Sequence, residues 1–354
     1  MSRDASVRKP IRVLVCDDSQ VAREMLTQIL SSDAGIEVVG TCADGLEAVG
    51  RTAELRPDLV TMDIHMPKLD GVSATEQIMA FTPTPILIVS SSVHESGVGR
   101  AFDALAAGAL EVMKKPQPAQ WADLARIGRE IIRTVKILAS VRVVTHVRAR
   151  RRQTRRSSIA RSAGGVSVVA IGSSTGGPTA LSSVLGALPA GFAAPVVVAQ
   201  HIAEGFVPGL VDWLGASCDV SVVAACDGQP LLPGTVYFAP TGRNLVIAEG
   251  VVRFRERRAG QLYVPSADDL LTSAAQDCGS AALGVLLTGM GADGARGLRA
   301  VFEAGGHTIA QDEDTSVVWG MPRAAVEAHA AAQVLALDEI GPGIVDLVGG
   351  TRRG

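Results

Sequence analysis

Two stretches of the chain alternate short runs of β-branched and aliphatic residues with longer segments in which apolar positions recur every three or four residues. In the first, the runs IRVLVCDD, IEVVGTCAD, DLVTMDI, PILIVSSS and LEVMKKP lie between Ile11 and Pro116. Val21, Met25, Ile29 and Leu30, between the first two runs, fall at helical spacing. In the second, the runs VSVVAIGSS, APVVVAQHI, TVYFAP, ALGVLLTG and GHTIAQDE begin at Val166. Strand-length apolar runs separated by helical patterns predict parallel sheets covered by helices on both faces. The fold class expected is therefore α/β with two domains, each a doubly wound, mainly parallel sheet: flavodoxin-like first, Rossmann-like second.

Between them, Trp121–Val147 reads as one amphipathic helix running into RARRRQTRRSSIARSAGG, a polar, glycine-bounded segment of linker composition. The predicted division is a tail over 1–10, a first domain over 11–128, a helix and arginine-rich linker over 129–165, and a second domain over 166–350.

Composition adds bounds. With 354 residues, 47% of them hydrophobic and 19% charged, the chain suits two globular cores. A formal net charge of −3 gives no bulk attraction to nucleic acid. Six arginines fall between Arg148 and Arg156. They read as a solvated linker, with a DNA-binding regulator as the alternative, but no basic recognition helix follows them. No apolar run has membrane-spanning length and the first residues lack a secretory h-region, so a cytoplasmic protein without membrane insertion is expected. Five scattered cysteines, none in C-x-x-C, read as free, buried thiols of a reducing compartment.

Candidate chemistry gathers where strands end. Asp17 and Asp18 close the first run and Asp63 the third. Carboxyl ends of parallel strands line the ligand crevice, and three carboxylates there would repel unless they shared a hard cation, of which Mg²⁺ suits phosphoryl chemistry. Ser90 and Lys115 end the fourth run and follow the fifth, where a hydroxyl and an ammonium can hold phosphoryl oxygens. The competing reading is that these aspartates cap the helices that follow.

In the second stretch, GSSTGGP sits at a strand-to-helix turn, a place from which a serine projects as a nucleophile. Ser174 and Ser173 both qualify. His201, after APVVVAQ, is the candidate base and Asp293, in LTGMGADGARG, the candidate orienting acid. Backbone N–H groups near Thr175 and Met290 could form an oxyanion hole. A rival stands beside this: Gly289, Gly291 and Gly294 match G-x-G-x-x-G, with Asp312 close to the acidic position of a nicotinamide-cofactor site.

The motifs VCDDS, TMDIHMPKLDG, VSSS and KKPQ, in this order, resemble the receiver domain of two-component response regulators. That resemblance implies Asp63 as the acceptor of a phosphoryl group from a histidine kinase. It implies Mg²⁺ held by Asp18, Asp63 and the backbone carbonyl of His65, supported by Asp17, with Ser90 and Lys115 as switch residues. VAIGSSTGGP, VVVAQHI, DGQPLLPGTVYFAPTGRNL, SADDLLTSAA, LLTGMGADGARGL and TIAQDEDTSVVWGMPRAA closely resemble the catalytic domain of the chemotaxis protein-glutamate methylesterases. The implied roles are Ser174 as nucleophile, His201 as general base and Asp293 as orienting acid, with no cofactor in this domain. The implied substrate is a glutamyl methyl ester on the cytoplasmic helices of a chemoreceptor, with deamidation of glutamine alongside. The unphosphorylated receiver is expected to cover the hydrolase cleft. Ser173 stands where that family commonly has alanine, Ala203 where it has proline, and the arginine-rich linker is longer than usual.

Overall fold

The computed structural model describes residues 9–90, 95–116, 124–141, 143 and 165–349. The chain divides into two compact units at about residue 150.

The first unit runs β1 (Ile11–Cys16), α1 (Gln20–Ser31), β2 (Ile36–Cys42), α2 (Gly45–Leu55), β3 (Leu59–Met62), α3 (Gly71–Phe81), β4 (Ile86–Ser90), α4 (Glu95–Ala106), β5 (Glu111–Lys114) and α5 (Leu124–Leu138). Its five strands are parallel in the order β2-β1-β3-β4-β5. Strands β3 and β4 are buried throughout, which is why they read as unbroken apolar runs. The chain reverses direction across the sheet between β1 and β3, and the crevice opens at the carboxyl ends of those two strands. The aspartates following β1 do not cap α1. Ser19 does, accepting from the Ala22 amide, while Asp44 and Asp70 cap α2 and α3; each such cap contributes about 1 kcal/mol.

Two expectations need correction here. Helix α1 buries Ala22, Leu26 and Leu30, and Val21 is 60% exposed. The expected stripe is therefore turned, and Ile29, only partly buried, lies beside α5 at Gly128. Helix α5 ends at Leu138, short of Val147, and a turn follows at Ala139 and Ser140. It crosses residue 128, the expected domain limit, and buries Ile131, Val135 and Leu138 while Lys136 pairs with Asp33 after α1 at 2.7 Å. The helix expected at the start of the 129–165 segment thus belongs to the first unit. The arginine run lies outside the described residues.

The second unit comprises β6 (Val168–Ser173), α6 (Gly177–Leu185), β7 (Val196–Gln200), α7 (Val207–Gly215), β8 (Ser221–Ala224), β9 (Thr235–Phe238), β10 (Asn244–Ala248), β11 (Val251–Arg255), α8 (Ala267–Cys278), β12 (Ala282–Leu286), α9 (Ala295–Glu303), β13 (His307–Gln311), α10 (Met321–Glu327), β14 (Gln333–Leu335) and α11 (Leu337–Gly349). Seven parallel strands take the order β14-β13-β12-β6-β7-β9-β8, and β10 and β11 form a separate antiparallel hairpin. The doubly wound α/β class is as expected for both units. Strands β6, β7 and β12 are fully buried. From β6 the chain proceeds through β7 on one side and later returns to β12 on the other, so the switch crevice lies at the ends of β6 and β12. The cysteines are all free, but only Cys16 and Cys42 are buried; Cys226 is exposed. Among the described residues no helix is long and apolar enough to cross a membrane.

Candidate active site

Strands β6 and β7 are in register with Ser173 opposite Gln200, so the next residues, Ser174 and His201, leave adjacent strand ends side by side. The His201 amide donates to the Ser173 carbonyl at 2.9 Å, and the Ser174 amide donates to Thr288 O beyond β12 at 3.0 Å. Ser174 is 8% exposed and Ser173 fully buried. The Ser173 hydroxyl donates to Gln200 Oε1 at 2.6 Å, whereas no protein partner engages the Ser174 hydroxyl among the described residues. Close approach explains two glycines. A Cβ on Gly289 would fall 2.7 Å from Ser174 Cβ, and one on Gly177 would fall 2.0 Å from Gln200 Oε1.

His201 Nε2 lies 2.9 Å from Asp293 Oδ2. Its Nδ1 is buried and has no protein partner. The Asp293 carboxylate is held at the start of α8, where it accepts from the Ser266 hydroxyl (2.9 Å) and from the amides of Ala267 (2.7 Å) and Asp268 (3.1 Å). Amides at a helix start favour a negative charge. Burial pushes the Asp293 carboxyl up, but the His201 hydrogen bond and charge and these amides outweigh it and leave it below the ordinary range. Asp268 returns the favour to α9: one of its oxygens accepts from the Gly294 and Gly297 amides at 3.1 and 2.8 Å, and the other pairs with Arg296. Burial, with a contribution from the Asp293 charge, lifts the Asp268 carboxyl above its ordinary value. Tyr263 stacks on the His201 ring, centroids 4.6 Å apart and planes within 3°.

The turn after β12 is pinned by Thr288, whose hydroxyl donates to Thr175 O at 2.9 Å and accepts from the Val318 amide at 2.9 Å. The Gly289 carbonyl takes the amides of Gly320 and Met321. The amides of Thr175 and Met290 have no protein acceptor among the described residues. The glycines of GMGADG are packing positions, Gly289 against Ser174 and Met321, Gly291 against Tyr263 and Gly294 against Leu286 and Ala267, and Asp312 accepts from the amide and hydroxyl of Thr315.

In the first unit, Asp17, Asp18 and Asp63 follow β1 and β3 with carboxylate oxygens within 4.8 Å of one another. Asp17 and Asp63 are buried and Asp18 is exposed. Lys115 Nζ sits 2.7 Å from Asp17 Oδ2, an ion contact without hydrogen-bond direction, and 3.2 Å from Asp63 Oδ2. Burial lifts the Asp63 carboxyl to about 6, with the Asp17 charge acting the same way and Lys115 opposing. Convergent oxygens of three acids fit a hard divalent cation. Ser90 is buried at the end of β4, with its carbonyl taking the Lys115 amide at 2.8 Å. His65, exposed in the loop after β3, is placed by its chain position alone.

The structure thus brings together Ser174, His201 and Asp293, with Thr175 and Met290 beside them, and separately Asp17, Asp18, Asp63, Ser90 and Lys115. Sequence reading overlooked Gln200, Tyr263, Ser266 and Asp268, although AQHI and SADDLL contain three of them. Their contacts with the site's other strands and turns span 26 or more residues, which no local pattern marks, although Ser266 is also the N-cap of α8.

The fold and these two sites define a response-regulator receiver joined to an α/β domain with a serine-histidine-aspartate cluster. Residues 13–124 match the family described as response regulator receiver domain, and residues 169–344 match CheB methylesterase. The chain is 48% identical over 332 residues to the protein-glutamate methylesterase/protein-glutamine glutaminase 2 of Anaeromyxobacter dehalogenans, covering 94% of this chain and 95% of that one. It is 44% identical to the corresponding protein 3 of Myxococcus xanthus, covering 93% and 91%. The chain belongs to the receiver-bearing CheB methylesterase family.

Proposed function

We propose that this chain hydrolyses glutamyl methyl esters on chemoreceptors, and deamidates glutamines there, under control of phosphorylation at Asp63. The observation that carries the hydrolytic reading is the His201 Nε2–Asp293 Oδ2 pair of 2.9 Å beside the end of the strand that bears Ser174. With Asp293 on Nε2, that nitrogen keeps the proton and Nδ1 is the basic one. Ser174 Oγ attacks the ester carbonyl carbon while Nδ1 takes its proton. The Thr175 and Met290 amides stabilise the oxyanion. The methoxy group leaves with the proton from Nδ1 as methanol, and water, deprotonated the same way, releases glutamate and regenerates Ser174. A glutamine side chain follows the same steps and releases ammonia.

In the receiver, Asp63 is the phosphoryl acceptor from a histidine kinase. Asp17, Asp18, Asp63 and the His65 carbonyl would hold Mg²⁺, which when bound neutralises charge between the attacking carboxylate and the phosphoryl oxygens. Lys115, already between Asp17 and Asp63, takes a phosphoryl oxygen, and the Ser90 hydroxyl takes another. The receiver restrains the hydrolase until this charge change biases it to a second state. No nucleic-acid partner enters this reading, and the protein acts in the cytoplasm.

The test is methanol release from methylated receptor, with and without an acyl phosphate donor. Wild type should be stimulated by the donor, and Ser174→Ala should lose activity by about 10⁵- to 10⁶-fold. Near-normal release by Ser174→Ala would overturn the assignment.

A further inference from the structure

Gln200 is the last residue of β7 and 2% exposed. Its side-chain amide uses both N–H donors and its carbonyl oxygen around the reacting pair. Nε2 donates to the carbonyl of Ser174 at 2.9 Å and to the carbonyl of His201 at 2.8 Å. Oε1 accepts the Ser173 hydroxyl at 2.6 Å. Two carbonyls demand the NH₂ end, so the orientation of the amide is dictated by its partners. The room it fills exists because residue 177 has no Cβ: one there would lie 2.0 Å from Oε1.

We infer that Gln200 is a positioning residue for hydrolysis, one buried amide that ties the backbones of Ser174 and His201 together and is itself aligned by the hydroxyl of Ser173. The inference rests on the reading that Ser174 and His201 carry the reaction. Neither residue is inside a strand or helix, so the sheet's own ladder stops one residue short of both. The other backbone ties are the Ser174 and His201 amides, which fix one edge of each peptide, and the Gly177 amide, which donates to the Ser174 carbonyl at 2.7 Å. Gln200 fixes the carbonyl edge of both from a single point, and thereby the separation of the two side chains. It also gives Ser173 a purpose: where alanine would leave Oε1 without a donor, the hydroxyl closes the network. A neighbouring serine whose hydroxyl is directed into this network is not a second nucleophile.

The experiment uses the full-length chain with an acyl phosphate donor and methylated receptor, comparing wild type, Ser174→Ala, Ser173→Ala, Gln200→Glu and Gln200→Met. Rates are expressed per serine titrated with a fluorophosphonate, so misfolded protein does not count. Gln200→Met keeps the side chain's length and removes every hydrogen bond. It is expected to lower kcat about 100-fold with KM within threefold, the signature of misplaced reacting groups. Gln200→Glu keeps the Ser173 acceptor but loses the two-donor end, and a drop in kcat of about tenfold or more is expected. Ser173→Ala should keep Ser174 labelling and lose about threefold in kcat. A purely structural Gln200 would reduce the titratable fraction and leave kcat per site unchanged. If Gln200→Met does not fold, Gln200→Glu decides alone, and a per-site kcat within threefold of wild type overturns the inference. Failure of the underlying reading looks different: wild type would not release methanol, or Ser174→Ala would.

Discussion

The carboxylate of Asp293 meets the imidazole of His201 at Nε2, 2.9 Å away, and leaves Nδ1 buried with no protein partner. The carboxylate is itself held by the Ser266 hydroxyl and two amides at the start of α8, so its position does not depend on His201. In the proposed hydrolysis, Asp293 is an orienting group with a fixed seat. Asp293→Asn is expected to lower kcat for methanol release about 10³- to 10⁴-fold, because an amide NH₂ facing Nε2 favours the wrong tautomer. A loss under tenfold would remove Asp293 from this role.

Tyr263 covers a face of the same ring. Its stack on His201 is nearly parallel, and its hydroxyl lies over Gly291 in the turn that carries Met290 and Asp293. Stacked aromatic pairs add about 0.5–1.5 kcal/mol beyond area burial. Tyr263→Ala should therefore cost roughly tenfold in kcat, the size of that interaction. Tyr263→Phe retains the ring and should stay within about threefold. Equal losses in the two variants would shift the role from the ring to the hydroxyl.

How far the sequence reveals this arrangement depends on burial. Strands β6, β7 and β12 are covered on both faces and read as continuous apolar runs. Strands β8 and β14 lie at the sheet's edges and are three or four residues long with mixed exposure, and they escaped notice. The β10–β11 hairpin also escaped notice, although β10 is largely buried. The turned face of α1 follows from the docking of α5, a contact about a hundred residues away that periodicity does not encode. Within the site, Ser174 and His201 directly follow β6 and β7, and Asp293 lies in the turn between β12 and α9; all three were legible as candidates, most firmly once the surrounding motifs were read together. Gln200 sits beside His201 in the same motif, yet its contact with Ser174 depends on register with β6, which only the folded sheet supplies.

Asp268 and Asp293 are neighbours whose carboxyls are displaced in opposite directions, and stability should record it. Asp268 is raised, first by burial, so its contribution to stability is fully present below the ordinary carboxylate pKa and is lost as pH rises through the folded value. Asp293 is lowered, so its contribution is present above the ordinary value and is lost as pH falls through the depressed one. Between about pH 4 and 7, the stability of wild type relative to Asp268→Asn should decline, while that relative to Asp293→Asn should stay level. Urea denaturation of the second domain within the full chain, followed at several pH values, measures both. A rising difference for Asp268→Asn would show its sign to be misassigned.

Control by the receiver gives the last test. Lys115 bridges Asp17 and Asp63 at 2.7 and 3.2 Å, and a phosphoryl group on Asp63 would draw that ammonium to a new partner. Such a charge change at a bistable element is worth about 1–3 kcal/mol of coupling, a 5- to 150-fold range in activity. Residues 165–349 expressed alone are therefore expected to release methanol about 5- to 150-fold faster than the unphosphorylated full chain. Asp63→Asn in the full chain should keep the low basal rate and lose all response to the acyl phosphate. Lys115→Met should take up phosphate yet respond weakly, because the group that reports the new charge is gone. Equal rates for the separate domain and the unphosphorylated chain would mean that the receiver does not restrain the hydrolase. A full response by Asp63→Asn would place the phosphoryl acceptor elsewhere.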